Sequence, residues 1–289
     1  MFRNAQELLA RAERQGLRIC DIVLERECAI TESTKEEVLG KLKEHLDVMR
    51  EASEAAREKP LKTRGGLITG DAKKLAEYAI KGKAVCGNAL ILAMSRAMSC
   101  LEVNASMGRI CAAPTAGSSG ILPAVIIGVA EDFSLHERAL MDGLLTASGV
   151  GMLIESKASL SGAYGGCQAE CGSAAAMAAA AIVEMLGGSP ETALHAAAIA
   201  LKNVMGLVCD PVAGLVESPC SKRNASGAAN AMLSADLALA GVKSVIPFDE
   251  VVGAMARVGR MMPHELRETS QGGLAATKTA LEYAKRILG

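Results

Sequence analysis

Three cysteines of this 289-residue chain lie in turns rich in glycine and proline, where a thiol can do chemistry. Cys167 lies in GAYGGCQAE, Cys209 in GLVCDPVAG and Cys220 in ESPCSKRNAS. A cysteine in a tight turn can expose its sulfur and receive backbone N–H donors, which stabilises the thiolate and favours metal binding. Their spacing matches neither a zinc ribbon nor the compact cysteine runs of ferredoxins. The pattern alone therefore leaves both a metal site and unligated loop thiols open.

The other six cysteines carry weaker signals. Five lie in apolar or N-terminal helical sequence and are expected to be buried small side chains: Cys20, Cys28, Cys86, Cys100 and Cys111. The sixth, Cys171, follows Cys167 by four residues. The glycines around this pair predict a helix that begins after it, so Cys171 is interpreted as a packing residue.

Composition excludes several classes of protein. Lys and Arg number 31 against 32 Asp and Glu, and aromatic residues make up 2%, so nucleic-acid binding is not expected. Acids interrupt every long apolar run, which argues against a membrane span. The N-terminal segment lacks the apolar block of a signal peptide, and the cysteine count of nine is odd. We therefore expect a cytoplasmic protein without a disulfide framework.

The elements that must position the cysteines are predicted to be helices. Period-two alternation is almost absent, and 50% of the residues are hydrophobic, which favours an all-α bundle with Gly/Pro-rich turns. We predict an N-terminal helical arm over 1–60 and a helical domain over 61–289. Helices are expected at about 34–57, 72–80, 86–102, 121–131, 134–154, 172–186, 190–205, 224–241, 248–260 and 272–287.

Four long motifs occur in a fixed order along the chain: NASMGRICAAPTAGSSGILPAV, ASLSGAYGGCQAECGSAAAMAAAA, ALKNVMGLVCDPVAGLVESPCSKRN and MPHELRETSQGGLAATKT. Together they resemble the alpha subunit of the bacterial iron-sulfur-dependent L-serine dehydratase (L-serine ammonia-lyase). The resemblance implies a [4Fe–4S] cluster held by Cys167, Cys209 and Cys220. The sequence departs from the family pattern at Cys171, which replaces an apolar residue, and at Tyr164, which replaces an acidic one.

This resemblance implies the dehydration of L-serine to pyruvate and ammonia without pyridoxal phosphate. Three thiolates on a four-iron cluster leave one iron open to act as a Lewis acid on the substrate hydroxyl, and Cys171 is an alternative ligand for that iron. A separate beta subunit of the same enzyme is the implied partner, in a heterodimer or larger assembly. β-Elimination from threonine or cysteine, and a noncatalytic iron-sulfur protein, remain alternatives.

A substrate site is predicted just before an apolar helix, in the segment APTAGSSG. Hydroxyls and free N–H groups there can bind a carboxylate, although ordinary N-capping explains the same residues. The candidate substrate-binding residues are Thr115, Gly117, Ser118 and Ser119. No histidine stands out as a general base, so the base is unassigned. The acids Asp210 and Glu217 beside the cysteines are expected to orient the site or to serve as that base.

Overall fold

The computed structural model of the protein describes residues 2–289. These residues form α-helices joined by loops and contain no β-strand, which confirms the predicted all-α class. The helices are α1 (Ala5–Gln15), α2 (Ile19–Thr31), α3 (Lys35–Glu58), α4 (Asp71–Ile80), α5 (Asn88–Ala105), α6 (Ile121–Asp132), α7 (Glu137–Glu155), α8 (Gly162–Gly165), α9 (Ser173–Met185), α10 (Pro190–Asn203), α11 (Cys220–Leu239), α12 (Phe248–Met261) and α13 (Lys278–Leu288). A π-helical turn, Gln168–Gly172, leads into α9.

Local capping explains where two helices begin. A capping box begins α3, as the S/T-x-x-E pattern of Thr34 and Glu37 indicates: Thr34 Oγ1 accepts from the Glu37 N–H (3.2 Å), and the Thr34 N–H donates to Glu37 Oε2 (2.8 Å). The C-terminal helix is predicted from residue 272, but α13 begins at Lys278, where the side chain of Thr277 caps its first turn. The glycine-rich segment before that cap forms a separate short 3-10 turn.

α11 begins four residues earlier than the sequence predicts. The pattern places its start at residue 224, whereas the helix starts at Cys220. The helix has one more turn at its N-terminus than predicted. In that turn the Ser221 N–H donates to the Glu217 carbonyl at 3.0 Å. Cys220 therefore lies on the first turn of a helix, and the prediction that it lies in a turn is wrong.

The alanine-rich helix α9 is the centre of the core. Every residue from Ser173 to Glu184 is buried, and α9 packs against α6, α7, α10 and α11. Small side chains allow the neighbouring helices to approach closely. On α7, for example, a Cβ added at Gly143 would lie 2.6 Å from Met185 Sδ, so a larger residue would displace that side chain. The close packing of these helices fixes the positions of the loops at their ends.

The predicted N-terminal arm packs on the rest of the chain. Leu8, Ile19 and Ile22 are fully buried in the same hydrophobic cluster as residues of α7 and α9. The Cys20 N–H donates to the Glu184 carboxylate at 3.1 Å, so a side chain of α9 caps the N-terminus of α2. The division into residues 1–60 and 61–289 stays a prediction.

Within residues 2–289, no helix has both the length and the apolar character needed to cross a membrane.

Candidate metal centre

The structure brings the three predicted ligand cysteines together from distant parts of the sequence. Cys167 immediately precedes the π-helical turn, Cys209 lies in the loop after α10, and Cys220 begins α11. The π-helical turn contacts both α10 and α11. Cys167 and Cys209 are buried, and Cys220 is half-buried. The three thiols thus share one site at the ends of the central helices.

These thiols influence one another's ionisation. Burial raises the pKa of Cys220 to about 12, and negative charge on Cys167 acts in the same direction. Burial also raises the pKa of Cys209. The pKa of Cys167 is lowered, chiefly by a hydrogen bond from Cys171 and, against the effect of burial, by the Arg223 guanidinium. Cys167 is therefore the thiol of the three most ready to become a thiolate.

Cys171 belongs to a helical segment that begins before it. The α-helix α9 begins at Ser173, after the Cys167 and Cys171 pair as predicted, but a π-helical turn that contains Cys171 precedes it and runs directly into it. Gly172 has helical dihedral angles (φ −65°, ψ −45°), and a Cβ there would lie 3.0 Å from Val204 Cγ2. The glycine serves close packing instead of ending a helix. As a result, Cys171 is buried beside Cys167.

The Cys209 loop is held from two sides. The C-terminal segment lies alongside it, and the Glu268 N–H donates to the Cys209 carbonyl at 2.7 Å. Asp210 forms a 2.7 Å ion pair with Arg223 on α11 and accepts a 2.7 Å hydrogen bond from the Leu274 N–H. Asp210 thus ties the loop to both neighbours, and the charge of its carboxylate is already paired.

Glu217 anchors the segment that follows α3. Its side chain is 1% exposed and lies three residues before Cys220. The carboxylate accepts hydrogen bonds from Thr63 Oγ1 (3.0 Å) and from the N–H groups of Leu67 (2.8 Å), Ile68 (3.3 Å) and Gly65. With four donors around it, Glu217 is a structural link between that segment and the turn before α11.

The loop predicted to bind substrate contains Thr115, Gly117, Ser118 and Ser119. The Ser119 hydroxyl donates to the Ala116 carbonyl (2.8 Å), and the Ser118 and Thr115 hydroxyls lie 3.0 Å apart, so the serines hold the loop's own shape. Within residues 2–289, the N–H groups of Ala116 and Gly117 have no hydrogen-bond partner. The substrate-binding role of this loop stays a prediction.

Glu170 faces the cysteines, although the sequence analysis did not single it out. Its carboxylate accepts a hydrogen bond from Thr115 Oγ1 (2.8 Å) and lies 3.9 Å from Cys209 Sγ. Burial raises the pKa of this carboxyl, and the hydrogen bond from Thr115 opposes the increase. The sequence signal that could have identified Glu170 is an acid inside the motif GGCQAECG, three residues after Cys167.

Comparison with known proteins decides the family. The sequence profile described as serine dehydratase alpha chain matches residues 14–275, which is most of the chain. The chain belongs to the serine dehydratase alpha chain family.

The chain is 51% identical over 288 residues to the "L-serine dehydratase, alpha chain" of Peptoniphilus asaccharolyticus, an alignment that covers 100% of this chain and 99% of that protein. It is 50% identical over 292 residues to the "Probable L-serine dehydratase, alpha chain" of Bacillus subtilis, with 100% and 96% covered. It is 39% identical over 283 residues to the "L-serine dehydratase" of Streptomyces coelicolor, with 95% of this chain and 60% of that protein covered.

The candidate site offers thiol sulfurs, and thiolates are the ligands that hold iron-sulfur clusters. Within residues 2–289, no three His, Cys, Asp or Glu side chains lie close enough together to hold a single metal ion. A four-iron cluster binds each thiolate through a different iron, so its ligands stand farther apart. Gly162 borders the site, and a Cβ there would lie 3.0 Å from Cys209 Sγ. A side chain at this position would press against that sulfur, and glycine avoids this, so the residues present fit the group.

Proposed function

We propose that this chain is the cluster-bearing subunit of an L-serine dehydratase, a lyase that converts L-serine to pyruvate and ammonia. The observation that carries the proposal is the convergence of Cys167, Cys209 and Cys220 from three separate segments at one largely buried site. The printed names of relatives that are 50–51% identical over the whole chain support the same activity.

Cys167, Cys209 and Cys220 would hold a [4Fe–4S] cluster, and no pyridoxal phosphate is required. When bound, the cluster supplies Lewis-acid chemistry that makes the substrate hydroxyl a better leaving group. Arg223 holds positive charge near the thiolates, and its pair with Asp210 (2.7 Å) fixes where that charge lies. The helices around the site keep bulk water from the sulfurs.

The loop before α6 would bind the substrate carboxylate. The free N–H groups of Ala116 and Gly117 are available donors, and the hydroxyls of Thr115, Ser118 and Ser119 hold the loop in the conformation that presents them.

A beta subunit would complete the active site. Two relatives are named alpha chains, which implies a second chain in those enzymes. The Streptomyces relative is matched over 60% of its length, so it has a further region that this chain does not match. Asp210 and Glu217, the acids that the sequence analysis considered as bases, are both engaged in structural contacts. A base supplied by the partner is consistent with these findings.

The cluster assignment is tested by iron analysis after anaerobic reconstitution. We expect about four irons per wild-type chain and the loss of most of them in Cys167→Ser, Cys209→Ser and Cys220→Ser, because a hydroxyl is a poor substitute for a thiolate. Cys100→Ser is the matched control, since Cys100 is a buried cysteine of α5 outside the site. Full retention of iron in all three site variants would refute the assignment.

The activity is tested by measuring pyruvate formed from L-serine. The reconstituted chain is assayed alone and together with the product of the neighbouring reading frame. We expect turnover only with the partner, and an air-exposed sample should lose it. Equal turnover by the lone chain would refute the partner requirement. Absence of pyruvate under both conditions, with iron present, would refute the proposed activity.

A further inference from the structure

Six carboxylates are buried in residues 2–289, and five of them have partners that offset their negative charge. These five are Glu102 (N–H groups of Gly70 and Ala72), Asp142 (Arg18 and Arg138), Glu184 (N–H groups of Ile19 and Cys20), Asp210 (Arg223) and Glu217 (N–H groups of Gly65, Leu67 and Ile68). The sixth is Glu170. In the described part of the chain it forms no ion pair and accepts no backbone N–H bond, and its partners are the Thr115 hydroxyl and the Cys209 thiol.

An unpaired buried carboxylate is expensive to maintain. Desolvation disfavours a charge that has no counterion, and the thiolates of a cluster would add more negative charge beside Glu170. The nearby cation, Arg223, is engaged with Asp210. A site that keeps such a carboxylate is suited to a cation that arrives from outside the chain.

Both oxygens of Glu170 face glycines. A Cβ at Gly117 would lie 3.1 Å from Oε1, and a Cβ at Gly162 would lie 2.8 Å from Oε2. A Cβ at Gly162 would also lie 3.0 Å from Cys209 Sγ, so the same glycine faces both the carboxylate and the sulfur. A side chain at either position would press against the carboxylate.

We propose that Glu170 binds the α-ammonium group of the amino-acid substrate, an inference that rests on the proposed function. The ammonium is the one cationic group of L-serine, and it shares its carbon with the carboxylate. The free N–H groups of Ala116 and Gly117 lie in the same loop as Thr115, whose hydroxyl is 2.8 Å from Glu170. An ammonium on Glu170 and a carboxylate on this loop would therefore hold the substrate at two adjacent points next to Cys209.

The test uses the reconstituted enzyme with its partner chain and the variant Glu170→Gln. The amide keeps the size of the side chain and removes its charge. Hydrogen bonds to charged groups contribute about 1.5–3 kcal/mol, so KM for L-serine should rise roughly 10- to 100-fold while iron content stays at the wild-type value. The matched control is Glu184→Gln, another change of a buried acid to an amide. The Glu184 carboxylate contacts the N-terminus of α2, so this variant should leave KM unchanged.

Two inhibitors separate ammonium binding from other roles. Ethanolamine has the ammonium and hydroxyl of serine without its carboxylate, and 3-hydroxypropionate has the carboxylate and hydroxyl without the ammonium. Glu170→Gln should weaken inhibition by ethanolamine by the same factor as KM and leave inhibition by 3-hydroxypropionate unchanged. A merely structural role would weaken both inhibitors equally.

Each remaining outcome is decisive. An unchanged KM, or equal weakening of both inhibitors, overturns the role of Glu170 while the dehydratase activity of the wild type stands. Loss of iron from Glu170→Gln, with iron retained in Glu184→Gln, also overturns it, because the carboxylate would then serve the cluster. If the iron-loaded wild type forms no pyruvate from L-serine, the proposed function fails, and the inference fails with it.

Discussion

Replacement of Glu217 by alanine tests whether this acid is a structural link or a catalytic base. Glu217→Ala removes the acceptor for Thr63 and for three backbone N–H groups of the segment after α3. Hydrogen bonds to a charged acceptor contribute about 1.5–3 kcal/mol each, but water can replace part of them where the segment is half-exposed. We therefore expect a loss of about 3–4 kcal/mol in the free energy of unfolding.

Urea denaturation followed by circular dichroism measures this loss. Glu217→Gln keeps one acceptor oxygen and should lose only about 1–2 kcal/mol. Glu51→Ala is the surface control, because Glu51 is exposed and its one ion pair within residues 2–289 is with the exposed Arg109. Its change should stay below about 0.5 kcal/mol.

The same variants decide between the two roles in catalysis. A structural link predicts that Glu217→Gln, once folded and loaded with iron, turns over L-serine at a rate close to that of the wild type. Removal of a general base lowers turnover by roughly 10²- to 10⁴-fold. Wild-type stability combined with such a loss of turnover in Glu217→Gln would show that this reasoning is wrong.

Two further predictions concern stability. Burial raises the pKa of Glu184 above its ordinary value of 4.5, so the stability this group contributes is present below about pH 4.5 and is lost as the pH rises through the native pKa. Urea midpoints of wild type and Glu184→Gln should diverge above pH 4.5, with the wild type falling relative to the variant; parallel curves would contradict this. Gly120→Ala should cost about 2–3 kcal/mol in thermal unfolding, since its Cβ would collide with the Ala97 carbonyl oxygen. Gly128→Ala in α6, whose nearest atoms are 3.7 Å away, should instead gain about 0.5–1 kcal/mol, and equal effects would count against the packing argument.

Helix type and most helix positions could be predicted because their signals are local. The capping box of Thr34 and Glu37 acts over three residues and set the start of α3 correctly. Glycine was a less certain guide. Gly172 lies inside a continuous helical segment, and its role is close packing, since a Cβ there would lie 3.0 Å from Val204 Cγ2. The role of that glycine depends on a neighbour more than thirty residues away in the sequence.

In the candidate site, too, local signals could be predicted and contacts between distant residues could not. The turn motifs around Cys167, Cys209 and Cys220 were recognised from the sequence, and the family followed from the motifs together. Glu170 was missed, because nothing in its local sequence distinguishes a carboxylate that lacks a charged partner. The sequence left Glu217 as a possible base, whereas in the structure its carboxylate accepts hydrogen bonds from the segment after α3.

By itself, the sequence determined the all-α class, the main helices and the identity of the candidate thiol ligands, since capping, hydrophobic periodicity and short motifs act over a few residues. Only the tertiary structure decided that these thiols meet, that Glu217 is engaged and that Glu170 is left without a counterion. The reason is physical. An alanine-rich helix such as α9 has similar small surfaces on every side, so its sequence does not specify which helices pack against it or which loop ends they bring together.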